Sequence, residues 1–247
     1  MTPQRSGRLG FDATIGILGG GQLGRMLALA AARLGFKCHV FCPDSHSPAF
    51  DVVRSVTEAD YLDFAALDRF AADVDVVTYE FENVPAETAT FLSARKPVLP
   101  DPKVLAITQD RLTEKEFVTS LGIGTAKFSA VDSSDGLTVA LKFIGRPAVL
   151  KTRRFGYDGK GQLMIRNDVD PVAMFNDLGG QAQILEAFVP FEREISVVAA
   201  RGHGGAIECF DVTENEHTDH ILKTSRVPAS IAAAVAAEAR RIAEKIA

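Results

Sequence analysis

The chain has 247 residues, 47% hydrophobic and 24% charged, with a formal net charge of -5. That balance describes an ordinary globular protein of roughly two domains, and without a basic domain or tail it argues against general nucleic-acid binding, so a small-molecule partner is expected. Cys38, Cys42 and Cys209 form no C-x-x-C pair, which supports neither a disulfide framework nor a zinc site. No apolar run of signal-peptide length precedes the first strand and none reaches the length of a membrane span, so no membrane association and a cytoplasmic location are expected.

Taken in chain order, residues 14–18 (TIGIL) predict a short strand and GGGQLG a tight turn. Leu23, Met26, Leu27, Ala30, Ala31 and Leu34 then fall on one helix face. Gly35 ends that helix and 38–41 predicts the next strand, a βαβ unit. Asp63 is placed to cap a helix through Ala72, 74–78 predicts another buried strand, and Pro85 sits where a helix to Arg95 would begin. Such alternation implies a mostly parallel sheet.

Gly19, Gly21 and Gly24 match G-x-G-x-x-G, and Asp44 lies at about the distance expected of a ribose-binding acid, a pattern compatible with NAD. Its physical content is narrower. A helix N-terminus with open N–H groups, here those of Gln22 and Leu23, receives a substrate phosphate as well as a dinucleotide. At the carboxyl end of the 74–78 strand, TYEFENVP puts Glu80 and Glu82 on the same crevice, where two acids suit sugar hydroxyls or an amine; the alternative is a solvated loop with Asn83 capping the following helix.

Pro100-Asp101-Pro102 punctuates the chain, and a helical segment carrying Arg111, Lys115 and Phe117 precedes a break at Gly122-Ile123-Gly124. From Thr125 the order is strand, helix (137–143), strand (148–151), glycine loop, strand (163–165), helix (171–176) and strand (183–187), a small α+β domain. Residues 148–162, AVLKTRRFGYDGKGQ, are the most informative stretch: an apolar strand ends in Lys151 and runs into a basic glycine loop, one fixed cation beside open backbone N–H groups, which suits a polyphosphate. It is no Walker A, because the lysine precedes the glycines and no Ser or Thr follows Lys160. The alternative is a hairpin turn with Arg153, Arg154 and Lys160 as solvated charges. Beyond it, Glu194, Ser196 and Val198 alternate with Ile195 and Val197, predicting one half-buried antiparallel strand with 206–212 as its partner. Glu186 and Glu194 are expected to face one cleft, the bend between them holding adenine and Glu194 the ribose.

The ordered set IGILGGGQLGRM, VTYEFENVP, ITQDRLTEKEF, AVLKTRRFGYDGKGQ and ILEAFVPFERE resembles the N5-carboxyaminoimidazole ribonucleotide synthases, ATP-grasp ligases of purine biosynthesis, over nearly the whole chain. The resemblance implies an α/β fold: a Rossmann-like parallel-sheet substrate domain over 1–108, an ATP-grasp small subdomain with a glycine flap over 109–187, and the beginning of the large subdomain over 188–247. It implies that ATP and bicarbonate form carboxyphosphate, which carboxylates the exocyclic amine of 5-aminoimidazole ribonucleotide. Arg111 and Lys151 would bind the ATP phosphates or the adenine edge, and Gly156, Tyr157, Asp158, Gly159, Lys160, Gly161 and Gln162 would form the flap. Glu186, Ala187, Phe188 and Val189 would hold adenine and Glu194 the ribose, with His217 close by. Tyr157, Asp158 and Lys160 would position bicarbonate and the acceptor amine, and Gly20, Gln22, Leu23 and Glu80 the ribonucleotide.

Phosphoryl transfer to bicarbonate needs positioning and charge neutralisation, and a short-lived carboxyphosphate needs a flap that excludes water. Mg2+ is implied as cofactor, with its acidic ligands expected beyond Ala247, where the family pattern continues; Asp211 and Glu214 are the nearby acids of this chain. A polypeptide ending there is expected to fold only partly, with an uncovered apolar face, and to turn over poorly. The family is commonly homodimeric. Competing readings are a non-catalytic nucleotide-binding module, a formate-dependent glycinamide ribonucleotide transformylase and an NAD-dependent oxidoreductase.

Overall fold

TIGIL forms the first strand, β1 (Thr14–Leu18), in a computed structural model that describes residues 9–156, 159–202 and 204–247. Two units are distinguished, Met1–Gln109 and Asp110–Ala247. In the first, β1 is followed by α1 (Gln22–Arg33), β2 (Lys37–Cys42), a 3-10 turn (Pro48–Val52), β3 (Ser55–Glu58), α2 (Phe64–Ala72), β4 (Val76–Tyr79), α3 (Ala86–Ser93) and α4 (Pro102–Thr108). The strands lie in the order β3-β2-β1-β4, all parallel, with Ile17 beside Val40 on one side and Thr78 on the other. The expected parallel sheet is present.

Local chemistry sets the boundaries. Leu34 closes α1 and Gly35 follows at φ +86, a left-handed residue that only glycine adopts freely. The Asp63 carboxylate accepts the Ala66 N–H and caps α2 as expected, and Asp101 caps α4 through the Lys103 N–H. Pro85 is the N-cap of α3 rather than its first helical residue, and its helix stops at Ser93. One sheet face packs Leu18, Phe41, Leu67, Phe70, Val77 and Leu92; the other packs Ile17, Val40, Ala28 and Ala31.

The buried face of α1 departs from the expectation. Gly24, Ala28 and Ala31 pack inward, whereas Leu23, Met26, Leu27, Ala30 and Leu34 turn outward, Leu23 and Met26 being 62% and 64% exposed. Size is the cause. A Cβ on Gly24 would lie 2.6 Å from the Gly19 carbonyl oxygen, so the helix starts against backbone and only small residues fit along that line. Apolar residues occupy both stripes, and period alone does not separate them.

In the second unit, the helix expected to carry Arg111, Lys115 and Phe117 is α5 (Arg111–Ser120), which starts afresh after α4 with Asp110 as N-cap. Then come β5 (Phe128–Val131), α6 (Ser134–Ile144), β6 (Ala148–Thr152), β7 (Gln162–Ile165), α7 (Pro171–Asp177) and β8 (Gln183–Ala187), the strands forming an antiparallel sheet β5-β8-β6-β7. Leu137, Leu141 and Phe175 of the helices pack on Val131, Leu150, Ile165 and Leu185.

The segment expected as one strand after Glu194 is two. β9 (Glu194–Ser196) pairs with β12 (Thr213–Thr218), while β10 (Ala199–Arg201) pairs with β11 (Ile207–Cys209), so the expected partner meets only the second half. Alternation dictates which side chains share a face and leaves the choice of partner open. β12 turns through Asp219 and His220, both at positive φ, into β13 (Ile221–Arg226), and α8 (Ala233–Ile246) follows. Cys38 and Cys42 are buried as free thiols. Among the described residues, no helix is long and apolar enough to cross a membrane.

Candidate functional site

In the second unit the site starts from β6, which ends in Lys151 and Thr152 before the glycine loop. Val149 lies opposite Glu186 of β8, so Lys151 is the diagonal neighbour of Glu186 on the same face. Its Nζ lies 3.1 Å from Glu186 Oε2, and Lys115 Nζ of α5 reaches the same oxygen at 3.4 Å. The Glu186 side chain is 8% exposed. Two ammonium groups thus share one buried carboxylate, and Glu114 of α5 adds a second acid beside them, its pKa raised by burial against the pull of Arg111 and Lys115. The sequence places Lys115 only on a helix; its signal there is its place one turn after Arg111 on α5.

The root of the loop is clasped to the start of α5 by two guanidinium groups. Arg111 donates to the Thr152 carbonyl (2.9 Å) and the Gly156 carbonyl (2.7 Å), and its backbone N–H to the Arg153 carbonyl. Arg153 returns the grip on Asp110, its Nε 2.9 Å from both carboxylate oxygens and Nη2 2.7 Å from Oδ2. Asp110 also accepts the Leu112 and Thr113 N–H groups. Burial raises the Asp110 pKa, but the Arg153 hydrogen bonds, those two N–H groups and the Arg153 charge outweigh it and hold the carboxyl below its usual range. The sequence alone gives Asp110 no role and reads Arg153 only as a solvated loop charge. A side chain at Gly156 would meet the Arg111 guanidinium at 3.0 Å, and one at Gly161 the Thr152 hydroxyl at 2.7 Å. Gly159 and Gly161 both have positive φ, +74 and +71. Lys160 is exposed on the loop, and Gln162 opens β7 opposite Lys151. Tyr157 and Asp158 lie outside the described residues.

After β8, the Ala187 and Phe188 N–H groups bond the Lys127 and Pro147 carbonyls, while the side chains of Phe188 and Val189 are exposed. Glu194 lies in a different sheet from Glu186 and has different partners: His217 Nδ1 at 3.6 Å and Asn215 Nδ2 at 3.4 Å. The irregularity in β12 between Glu216 and His217 sits beside this pair. Asp211 is taken by Arg240 at 2.6 Å, and Glu214 accepts from the Ser230 N–H and Arg193.

In the first unit, the Glu80 carboxylate lies in the glycine turn. Cβ atoms on Gly19, Gly21 and Gly24 would come within 2.7, 3.5 and 3.3 Å of its Oε1. Burial, the strongest influence, pushes its pKa up; hydrogen bonds from the Gly21 and Gly24 N–H groups pull down, and Glu82 adds to the rise. Part of the anion cradle expected at the start of α1 therefore faces a carboxylate of the chain itself. Gln22 and Leu23 are exposed next to it, and Gly20 packs on Ser47 and Cys42. Asn83 does not cap α3; its amide lies 3.4 Å from the exposed Glu82 carboxylate.

Comparisons with known proteins agree with this division. A ribonucleotide synthetase preATP-grasp domain model matches residues 12–109 and an ATP-grasp domain model residues 116–247. The chain is 48% identical over 236 residues to the N5-carboxyaminoimidazole ribonucleotide synthase of Brucella melitensis, covering 95% of this chain and 65% of that protein. It is 44% identical over 239 residues to the bifunctional purine synthesis protein purC/E of Dictyostelium discoideum, covering 95% of this chain and 24% of that one. The crystal structure of N5-carboxyaminoimidazole synthetase from Staphylococcus aureus complexed with ADP is similar at a TM-score of 0.91 and 37% identity, over 96% of this chain and 63% of that chain. The chain thus spans less than two thirds of the length of each. With an ATP-grasp model matched over more than half of its residues, the chain belongs to the ATP-grasp family.

Proposed function

We propose that this chain carries the nucleotide and ribonucleotide sites of an N5-carboxyaminoimidazole ribonucleotide synthase, the ligase that uses ATP and bicarbonate to carboxylate 5-aminoimidazole ribonucleotide in purine biosynthesis. The observation that carries the reading is the glycine loop clasped beside a Lys151–Glu186–Lys115 cluster: fixed cations at the root of a flap with glycine freedom. Lys151 and Lys160 neutralise the triphosphate, residues 156–162 cover it, and 186–189 hold adenine by backbone groups. Arg111, whose donors reach the flap carbonyls, adds its charge at the flap root. Glu194 takes the ribose hydroxyls, and His217, in contact with it, orients that carboxylate. Gly20, Gln22, Leu23 and Glu80 hold the ribonucleotide.

In the reaction, a bicarbonate oxygen attacks the γ-phosphorus and ADP leaves; the amine nitrogen then attacks the carboxyphosphate carbon and phosphate leaves. Tyr157, Asp158 and Lys160 orient bicarbonate and the amine, with Asp158 receiving the amine proton. Water exclusion by the flap protects the intermediate. Among the described residues no group of three or more His, Cys, Asp or Glu side chains is gathered to hold a metal ion; a Mg2+ here would be held by one or two carboxylates and the ATP phosphates, and would neutralise phosphate charge. We further assign residues 109–187 to the small ATP-grasp subdomain and 188–247 to the start of the large one, in a cytoplasmic homodimer.

The test is ADP release by the purified chain, with bicarbonate and aminoimidazole ribonucleotide added singly and together. Stimulation by the pair supports the synthase. Stimulation by formate with glycinamide ribonucleotide would replace it with the transformylase, and ATP binding without turnover would leave a binding module.

A further inference from the structure

The β12–β13 hairpin closes on two residues, Asp219 at φ +51 and His220 at φ +66, between the paired Thr218 and Ile221. A two-residue turn with both φ values positive favours Asn or Asp first and glycine second. Asp219 conforms. His220 does not: it holds a ring-bearing side chain where glycine would be unstrained.

The ring is used elsewhere. A Cβ built on Gly159 would come within 2.9 Å of His220 Cβ, Cγ and Cδ2, so the imidazole lies against the bare backbone of the flap at a glycine that itself has φ +74. At its root the flap is held by Arg111 through the Thr152 and Gly156 carbonyls; past that root, Gly159 rests on His220. Backbone strain kept at one position and side-chain contact at a functional segment is the combination that marks a constraint beyond folding.

We propose that His220 is a positioning residue of the nucleotide site: its ring is the stop against which the arm of the glycine loop returning from Gly159 to β7 seats, fixing that arm before nucleotide is bound. That the flap covers ATP rests on the function proposed above; the contact itself does not.

The test is limited trypsin digestion of the whole 247-residue chain, following cleavage after Lys160 in the flap, and after Arg154 just before it, against cleavage after Arg69 of α2, with and without ATP. Cleavage in this regime reports the population of the open flap. His220→Gly should speed flap cleavage about fivefold, leave Arg69 cleavage unchanged, and keep or raise the Tm, because the turn loses its strain. The ATP concentration giving half-protection should rise by about the same factor. His220→Asn, which tolerates positive φ and lacks the ring, should behave likewise. In a Gly159→Ala background, where the new Cβ already displaces the ring, His220→Gly should have a much smaller effect.

Flap cleavage at the wild-type rate in both His220 variants overturns the proposal. So does a lowered Tm with equally faster cleavage at Arg69, which would make the ring an ordinary structural contact. If ATP protects neither protein while His220→Gly still opens the flap, the nucleotide reading fails and the latch stands.

Discussion

Asp110→Asn isolates the clasp at the flap root. Asparagine caps a helix as well as aspartate, so the Leu112 and Thr113 N–H groups of α5 keep an acceptor, and what is lost is the charge facing Arg153. The three short contacts of that pair and side-chain exposures of 24% and 19% put it between a surface and a buried ion pair. Hydrogen bonds to charged groups contribute about 1.5–3 kcal/mol; discounting for solvent screening leaves about 1–2 kcal/mol. At roughly 2–4 °C per kcal/mol for a chain of this size, the Tm should fall by about 2–8 °C. Asp110→Ala should cost about 1 kcal/mol more through the lost cap. Urea unfolding followed by far-UV circular dichroism suits a chain with no tryptophan.

The pH dependence supplies a second check. Asp110 is a carboxyl held below its unfolded pKa, so its contribution is fully present above about pH 4 and is lost as pH falls through the native value. The gap between wild type and Asp110→Asn should therefore be constant at neutral pH and close in acid. A wild-type stability for Asp110→Asn, or a gap that persists unchanged to pH 2, would refute the ion-pair account; equal stabilities of the Asn and Ala variants would refute the cap.

Lys151→Met should weaken ATP binding at least about tenfold by calorimetry if the proposed phosphate site is right, since it removes one of its cations and leaves the buried Glu186 with Lys115 alone; unchanged affinity would remove Lys151 from the site. Glu80→Gln should weaken ribonucleotide binding yet hold or raise the Tm at pH 7. The native Glu80 pKa is raised, so the ionised carboxylate costs the fold at neutral pH and that cost vanishes below the unfolded value, about 4.3; a variant less stable at every pH would contradict this. Ala28→Leu should destabilise by about 1–3 kcal/mol through overpacking, whereas Met26→Ala should stay within about 0.5 kcal/mol. The reverse order in thermal melts would restore the Leu23–Met26 stripe as the buried face.

Much of the frame was legible because local chemistry speaks in single residues. Asp63, Gly35 and the apolar run at Thr14 each dictate a boundary whatever surrounds them. Legibility failed where two answers satisfied the same pattern. On α1 both stripes are apolar, and the winner was decided by the closeness of Gly24 to the Gly19 carbonyl, a distance between residues that no periodicity encodes. After Glu194 the alternation was sound, but the chain leaves one sheet for another between Ser196 and Ala199, a choice made by β11 and β12. In the site, Lys151 and Glu186 stood out by their motifs, whereas Lys115, Asp110, Arg153 and His220 acquire meaning only once α5 and the hairpin are brought to the flap.

The carboxylate of Glu80 also changes what the G-x-G-x-x-G fingerprint means. In this chain two of its three glycines are fitted tightly to the protein itself: a methyl group at Gly19 would run into Glu80 and one at Gly24 into the Gly19 carbonyl, while one at Gly21 would only touch the Glu80 carboxylate. The spacing is thus accounted for without invoking any dinucleotide, and a pattern search that reads only the glycines mistakes an internal fit for a cofactor signature. The discriminating letter lies some sixty residues downstream, at the end of β4: an acid that enters the turn excludes a pyrophosphate from the same N–H groups by charge, while leaving a hydroxyl-bearing ligand an acceptor.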